Sequence, residues 1–121
     1  MRRAMQEKAR VEMERRLRPF RRARQARKPS EGWLRAMRQA MGIPVREIAE
    51  FMRVTDNMVV QMERSEQKSS ICLRRLEDMA RAMQCDLVYG LVPWQRSLED
   101  RALELVEREL WRKRFAREGR D

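Results

Sequence analysis

The stretch from Val45 to Arg64, VREIAEFMRVTDNMVVQMER, limits the possible fold more than any other part of the chain. Ile48, Ala49, Met52, Val54, Val59 and Met62 recur at three-and-four spacing on either side of a break at Arg53, Val54 and Thr55. That pattern predicts two short helices packing their apolar faces together across a tight bend. Ala49 is small where the second helix crosses close above it. The residues left outside on the second helix are Thr55, Asp56, Asn57, Val60, Gln61 and Arg64. They combine donors, acceptors, one aliphatic group and one cation, a set suited to the edges of base pairs in a DNA major groove.

The chain around this pair reads as further helices. Trp33, Leu34, Met37, Ala40 and Met41 predict a first core helix of about ten residues, opened by Ser30 and Glu31 and stopped by Gly42. Pro44 is expected at the first position of the next helix, where its missing N–H has no partner to lose. Thr55 is the expected N-cap of the helix after the bend, taking the N–H of Asn57 or Met58 for roughly 1 kcal/mol, with Asp56 at the positive end of the helix dipole. This helix is expected to reach Arg64, with SEQKSS at 65–70 as a loop. Ile71, Leu73, Leu76, Met79, Ala80 and Met83 then predict a helix whose apolar face lies across the reading pair.

Cys85 to Pro93, CDLVYGLVP, reads as a short buried strand, being rich in Val, Leu and Tyr and ended by proline. A lone strand leaves its backbone groups unpaired. It is expected to find an edge on a second copy or a partner, or else to lie on the helices with water along its outer edge. Leu98, Ala102, Leu105, Val106, Leu110 and Phe115 mark a long final helix, with Trp94 at its beginning and Trp111 near its end; Gly119 and the charged tail are expected to fray. At the other terminus Arg2 to Arg18 suits a helix with Met5, Ala9, Met13 and Leu17 in one narrow stripe, ended or kinked by Pro19. The stripe either lies on its own domain or docks into a partner protein. FRRARQARKPS at 20–30 is a linker or an arm along DNA phosphates. The expected organisation is a basic helix or arm at 1–29, a core at 30–84, the strand at 85–93 and an amphipathic helix at 94–121. The fold class is all-α with that one strand.

Charge points toward a partner. Of the net +10, nearly all sits in residues 1–29, with 12 Lys and Arg against 3 acids; residues 30–93 hold 9 against 9 and residues 94–121 hold 8 against 7. Such a segment suits phosphates, an acidic protein or an anionic membrane, and charge alone does not choose. The apolar stripe of the arm is thin, which argues against a membrane. No apolar run is long enough to span a bilayer, and Arg2 and Arg3 lack the apolar stretch of a signal peptide behind them, so the expected location is the cytoplasm. The 121 residues hold one domain with extensions, its core filled in part by ten methionines. With no histidine in the chain, no nucleophile and base pair, no glycine-rich phosphate loop and no metal cluster, neither an enzyme nor a cofactor is expected. Cys72 and Cys85 flank one predicted helix and read as reduced, mostly buried thiols.

Residues 32–93 resemble the Cro and phage-repressor (XRE) type of helix-turn-helix regulator, a lambda-repressor-like bundle. The whole chain resembles the group called mobile mystery protein A through GWLRAMRQAMG at 32–42, QMERSE at 61–66 and above all MQCDLVYGLVP at 83–93. Members of that group are encoded beside a Fic-domain protein. The resemblance therefore implies an antitoxin that restrains a Fic-type toxin, an AMP-transferring enzyme, and represses its own operon. A familiar Fic inhibitor motif, Ser or Thr followed four residues later by Glu and then Gly or Asn, is absent: Glu31-Gly32 has Arg27 at that place and Glu118-Gly119 has Arg114. Restraint of a toxin is then expected through the arm, the strand or the final helix. The chain also departs from the regulator pattern. Arg53 stands at the turn position where glycine is usual, at a cost of roughly 1 kcal/mol, Pro44 replaces a Ser cap, and Asp56 replaces a glutamine.

On this reading Asp56, Asn57, Val60 and Gln61 face bases, while Arg46, Thr55 and Arg64 hold phosphates. Asp56 either accepts from a cytosine amine or serves only to start its helix. Two copies read half-sites about one helical turn apart in double-stranded operator DNA. Met5, Met13, Leu17, Leu87, Val88, Tyr89 and Leu91 are the expected contacts to a second copy or to the toxin. The rivals are a toxin inhibitor whose helix-turn-helix is only a scaffold, and a plain phage-type repressor with no toxin.

Overall fold

The computed structural model describes residues 2–118, and among them the chain is all-α: α1 (Arg2–Ala23), α2 (Trp33–Met41), α3 (Val45–Met52), α4 (Asp56–Gln67), α5 (Leu73–Ala82) and α6 (Leu98–Glu118). The chain divides into two compact units, Arg27–Tyr89 on one hand and Met1–Ala26 with Gly90–Asp121 on the other. The expected fraying of Gly119 and the tail concerns residues outside those described.

The unit of residues 27–89 is built on one apolar cluster. Leu34 of α2, Ile48 and Ala49 of α3, Val59 and Met62 of α4, Met79 of α5 and Met83 just beyond it are buried together, with Met37, Met52, Val54, Ile71 and Leu76 packed against them. Ile48, Val59 and Met79 are wholly shielded from solvent. Ala49 is also buried, consistent with a small residue beneath the crossing of α3 and α4. Trp33 and Met41, although in register, lie at the ends of α2 and are 46% exposed.

The bend works as its sequence predicts. Arg53 closes α3 in the left-handed region, φ 58 and ψ 46, with its N–H on the Glu50 carbonyl and the Val54 N–H on that of Ala49. Thr55 then starts α4, its hydroxyl oxygen accepting the Met58 N–H at 3.2 Å. Pro44 differs by one position from expectation: it is the N-cap of α3, with ψ 152, and Val45 is the first helical residue. The capping residue must be extended, which suits a proline whose φ is already fixed.

The helix after the bend is longer than expected, because Ser65, Glu66 and Gln67 continue it. The reason is that Glu63 and Glu66, polar by type, face inward, with side chains only 6% and 4% exposed. Glu63 holds Arg38 through two contacts, Nε to Oε1 at 2.5 Å and Nη2 to Oε2 at 3.3 Å. Glu66 accepts the N–H of Leu34 at 2.9 Å and pairs with Lys28 at 2.5 Å. A carboxylate from α4 thereby caps the start of α2, where orphan N–H groups and the helix dipole both favour negative charge. Gly32 is required beside it: its φ is 88, and a Cβ there lies 2.7 Å from a Glu66 oxygen.

The short strand is not present. Residues 85–93 are irregular, and none of the described residues is in a strand. A ladder needs a second edge, and the described chain offers none to this segment. Its first residue is used otherwise: with Gln84 left-handed at φ 58, the Cys85 N–H closes α5 on the Ala80 carbonyl at 2.8 Å. The thiols also differ from expectation in part, since Cys85 is half-buried but Cys72 is exposed. Cys72 is the N-cap of α5 and its side chain caps nothing.

In the other unit α1 passes through Pro19 and continues to Ala23, so the proline does not end it. Proline removes the bond to the carbonyl four residues back, and that carbonyl belongs to Arg15, an exposed residue. The turn beyond it is held by the segment before α6: Arg21 donates to the Gln95 carbonyl, Arg24 to that of Pro93, and the Phe20 ring lies against Gly90. Glu14 joins the two helices. It accepts the Leu98 N–H at 2.7 Å and pairs with Arg21 at 2.9 Å, while Ser97 accepts the Asp100 N–H at 3.1 Å as the local cap of α6. The Leu98 N–H, assisted by Arg21, lowers the Glu14 carboxyl below its ordinary value. No described helix is long and apolar enough to cross a membrane.

Candidate nucleic-acid interface

Helix α4 has a locked side and an open side. Val59 and Met62 enter the core while Glu63 and Glu66 tie the same side to α2, so the rotation of α4 about its axis is fixed by four buried side chains. On the open side Thr55, Asp56, Asn57, Gln61 and Arg64 are exposed and Val60 is half-buried. Asn57, Val60, Gln61 and Arg64 recur at three and four residues and so share one face. A side-chain amide presents both donors and acceptors, as base edges do, and Val60 offers a methyl surface. Asp56 occupies the first turn of α4, where the helix dipole favours its charge.

Three arginines are candidates for phosphate contact. Arg46 in the first turn of α3 is 75% exposed, and its 3.4 Å contact with an equally open Glu50 is too weak to withhold it from a phosphate. Arg64 stands on α4 itself. The third is Arg35 of α2, which the sequence alone did not single out. It lies with Val60 and Arg64 around a shallow depression of about 220 Å³. The signal was present in the pair Arg35 and Arg38, one turn apart on α2: Glu63 neutralises Arg38 and leaves Arg35 exposed. Thr55 already accepts the Met58 N–H, and its hydroxyl proton remains able to donate to a phosphate oxygen.

The expected partner contacts differ in access. Val88, Tyr89 and Leu91 are 73%, 63% and 87% exposed, and Met5 and Met13 are also open. Leu87 is half-buried, whereas Leu17 is buried and offers no open surface. Among the described residues no group of His, Cys, Asp or Glu has the arrangement to hold a metal ion. Compared with known proteins, the chain is matched by no family model, no curated protein and no solved structure.

Proposed function

We propose that this chain is a cytoplasmic, lambda-repressor-like helix-turn-helix protein that binds double-stranded operator DNA through α4 and represses its own operon as the antitoxin of a Fic-type toxin. The observation that carries the DNA reading is the division of α4: an exposed row of Asn57, Gln61 and Arg64 backed by a side that cannot rotate. Rigid presentation matters because a bidentate amide contact discriminates bases only when the helix is fixed in the groove. Arg35, Arg46 and Arg64 grip phosphates on either side. The toxin part rests on the resemblance at 32–42, 61–66 and 83–93. A protein partner is further supported by the open apolar groups of Val88, Tyr89, Leu91 and Trp94, since apolar surface left in water favours association.

The test is a fluorescence-anisotropy titration of the DNA upstream of the chain's own reading frame against a scrambled duplex of equal length. Asn57→Ala and Gln61→Ala are each expected to cost roughly 1–3 kcal/mol on the upstream site and to leave the scrambled duplex unaffected. Equal losses on both duplexes, or no preference in the wild type at low salt, refute base reading by α4. The latter result favours the inhibitor whose helix pair is a scaffold. Co-purification of the product of the adjacent reading frame tests the toxin separately.

A further inference from the structure

The chain passes between its two units at residues 26–27 and again at 89–90. On the core side the two passages differ. Among the described residues, Asp86 to Tyr89 make no hydrogen bond, whereas residues 28–32 are fastened to the last turn of α4. Lys28 pairs with the Glu66 carboxylate at 2.5 Å and donates to the Glu66 carbonyl as well. Gln67 donates to the Ser30 carbonyl at 3.3 Å, and the Gly32 N–H closes a turn on the Pro29 carbonyl at 2.9 Å. Glu66 is buried, so Lys28 supplies the positive partner that a carboxylate out of water needs. Glu31 then lies with Val60, Arg64 and Gln67 around the depression at the far end of the open side of α4. The root of the basic arm therefore stands at one end of the candidate reading face.

We infer that Lys28 is a positioning residue: spent on Glu66 and not on phosphate, it sets the root of the arm beside the Arg64 end of α4. Arg27 is one Cα step of about 3.8 Å from this latch, so the phosphates it meets flank the base pairs at that end. Asn57 lies seven residues away along α4, about 10.5 Å. Arm and helix then bind DNA as one unit, because two sets of contacts on a short, fixed connection hold each other at high effective concentration. The inference rests on base reading by α4 and adds to it where the arm lies on the same duplex.

The test uses the upstream and scrambled duplexes with Lys28→Met, which keeps the aliphatic stem, and Glu66→Gln, which keeps an acceptor for the Leu34 N–H. On the scrambled duplex Lys28→Met is expected to leave the slope of log affinity against log salt unchanged, where Arg27→Gln lowers it by about 0.9. On the upstream duplex both latch variants are expected to bind roughly tenfold more weakly, and Lys28→Arg to restore the affinity. In a background of Cys72→Ser and Cys85→Ser, a DNA-cutting iron chelate on Ala26→Cys is expected to cut the upstream duplex at a few adjacent nucleotides. Those cuts overlap the cuts from a chelate on Lys68→Cys, which marks the Arg64 end of α4, and Lys28→Met spreads them. A salt slope lowered by Lys28→Met, undiminished affinity of the latch variants, or cuts that stay sharp without Lys28 overturns the inference while the site preference stands. Cuts from residue 26 remote from those of residue 68 do the same on the otherwise unaltered latch, whether or not the latch variants fold. A wild type that binds both duplexes equally removes base reading by α4 and this placement of the arm with it.

Discussion

Arg53 holds a left-handed conformation that only glycine and asparagine adopt without appreciable cost. Arg53→Asn is therefore expected to raise the free energy of unfolding by about 1 kcal/mol in denaturant titration, with no change in the bend; a loss of stability shows that the arginine side chain contributes more than the backbone loses. The opposite sign is expected at Glu63. Glu63→Ala leaves the Arg38 guanidinium, whose side chain is 13% exposed, with only the Ile43 carbonyl as partner. Removing one member of a buried pair costs about 3 kcal/mol, and an unfolding loss under 1 kcal/mol contradicts the clamp described for α2 and α4. These two residues also mark what the sequence made legible. The break at Arg53 followed from its place between two apolar periods, and its left-handed conformation from the resemblance, which has a glycine position there. The inward Glu63 and Glu66 did not, since a glutamate after the last apolar position of a helix reads as solvent-facing until its partners on α2 and at Lys28 are brought near.

At the scale of elements, apolar periodicity marks the helices: α3 starts one residue later than expected, with Pro44 as its N-cap, and the bend and the Thr55 cap lie where expected. The misreadings have a common cause, which is that contacts distant in sequence decide where an element ends. Tertiary carboxylate contacts extend α4 to Gln67; contacts from residues 90–97 carry α1 beyond Pro19. The apolar run at 85–93 has strand composition but no second edge. Glu14 provides a test of such a distant contact. Its carboxyl is held below the ordinary 4.5 by the Leu98 N–H and by Arg21. The folded state thus favours the ionised form, and the stability this gives is full above that ordinary value and is lost as the pH falls through the lowered one. Thermal unfolding of wild type and Glu14→Gln across acid pH is expected to show a wild-type advantage near neutrality that disappears on acidification. An advantage independent of pH indicates that Glu14 acts by packing alone.

For the whole molecule, the division of charge sets the expected behaviour on DNA. Residues 30–93 are electrically balanced, and the excess of basic groups lies in the first 29 residues. Nonspecific affinity comes chiefly from phosphate contacts, each adding about 0.9 to the slope of log affinity against log salt. Replacing Arg2, Arg3, Arg22 and Arg27 by glutamine is expected to flatten that slope and weaken all duplexes alike, while the preference for the upstream site persists. An unchanged slope removes the arm from DNA binding. Substitution is preferable to truncation through residue 28, because Lys28 is the partner of the buried Glu66. The central claim is that the open side of α4 meets DNA, and amide and side-chain NMR shifts of the labelled protein on adding the upstream duplex test it most directly. The largest changes are predicted at Thr55, Asn57, Gln61 and Arg64, with smaller ones at Arg35 and Arg46; changes confined to residues 2–28, with α4 silent, contradict it.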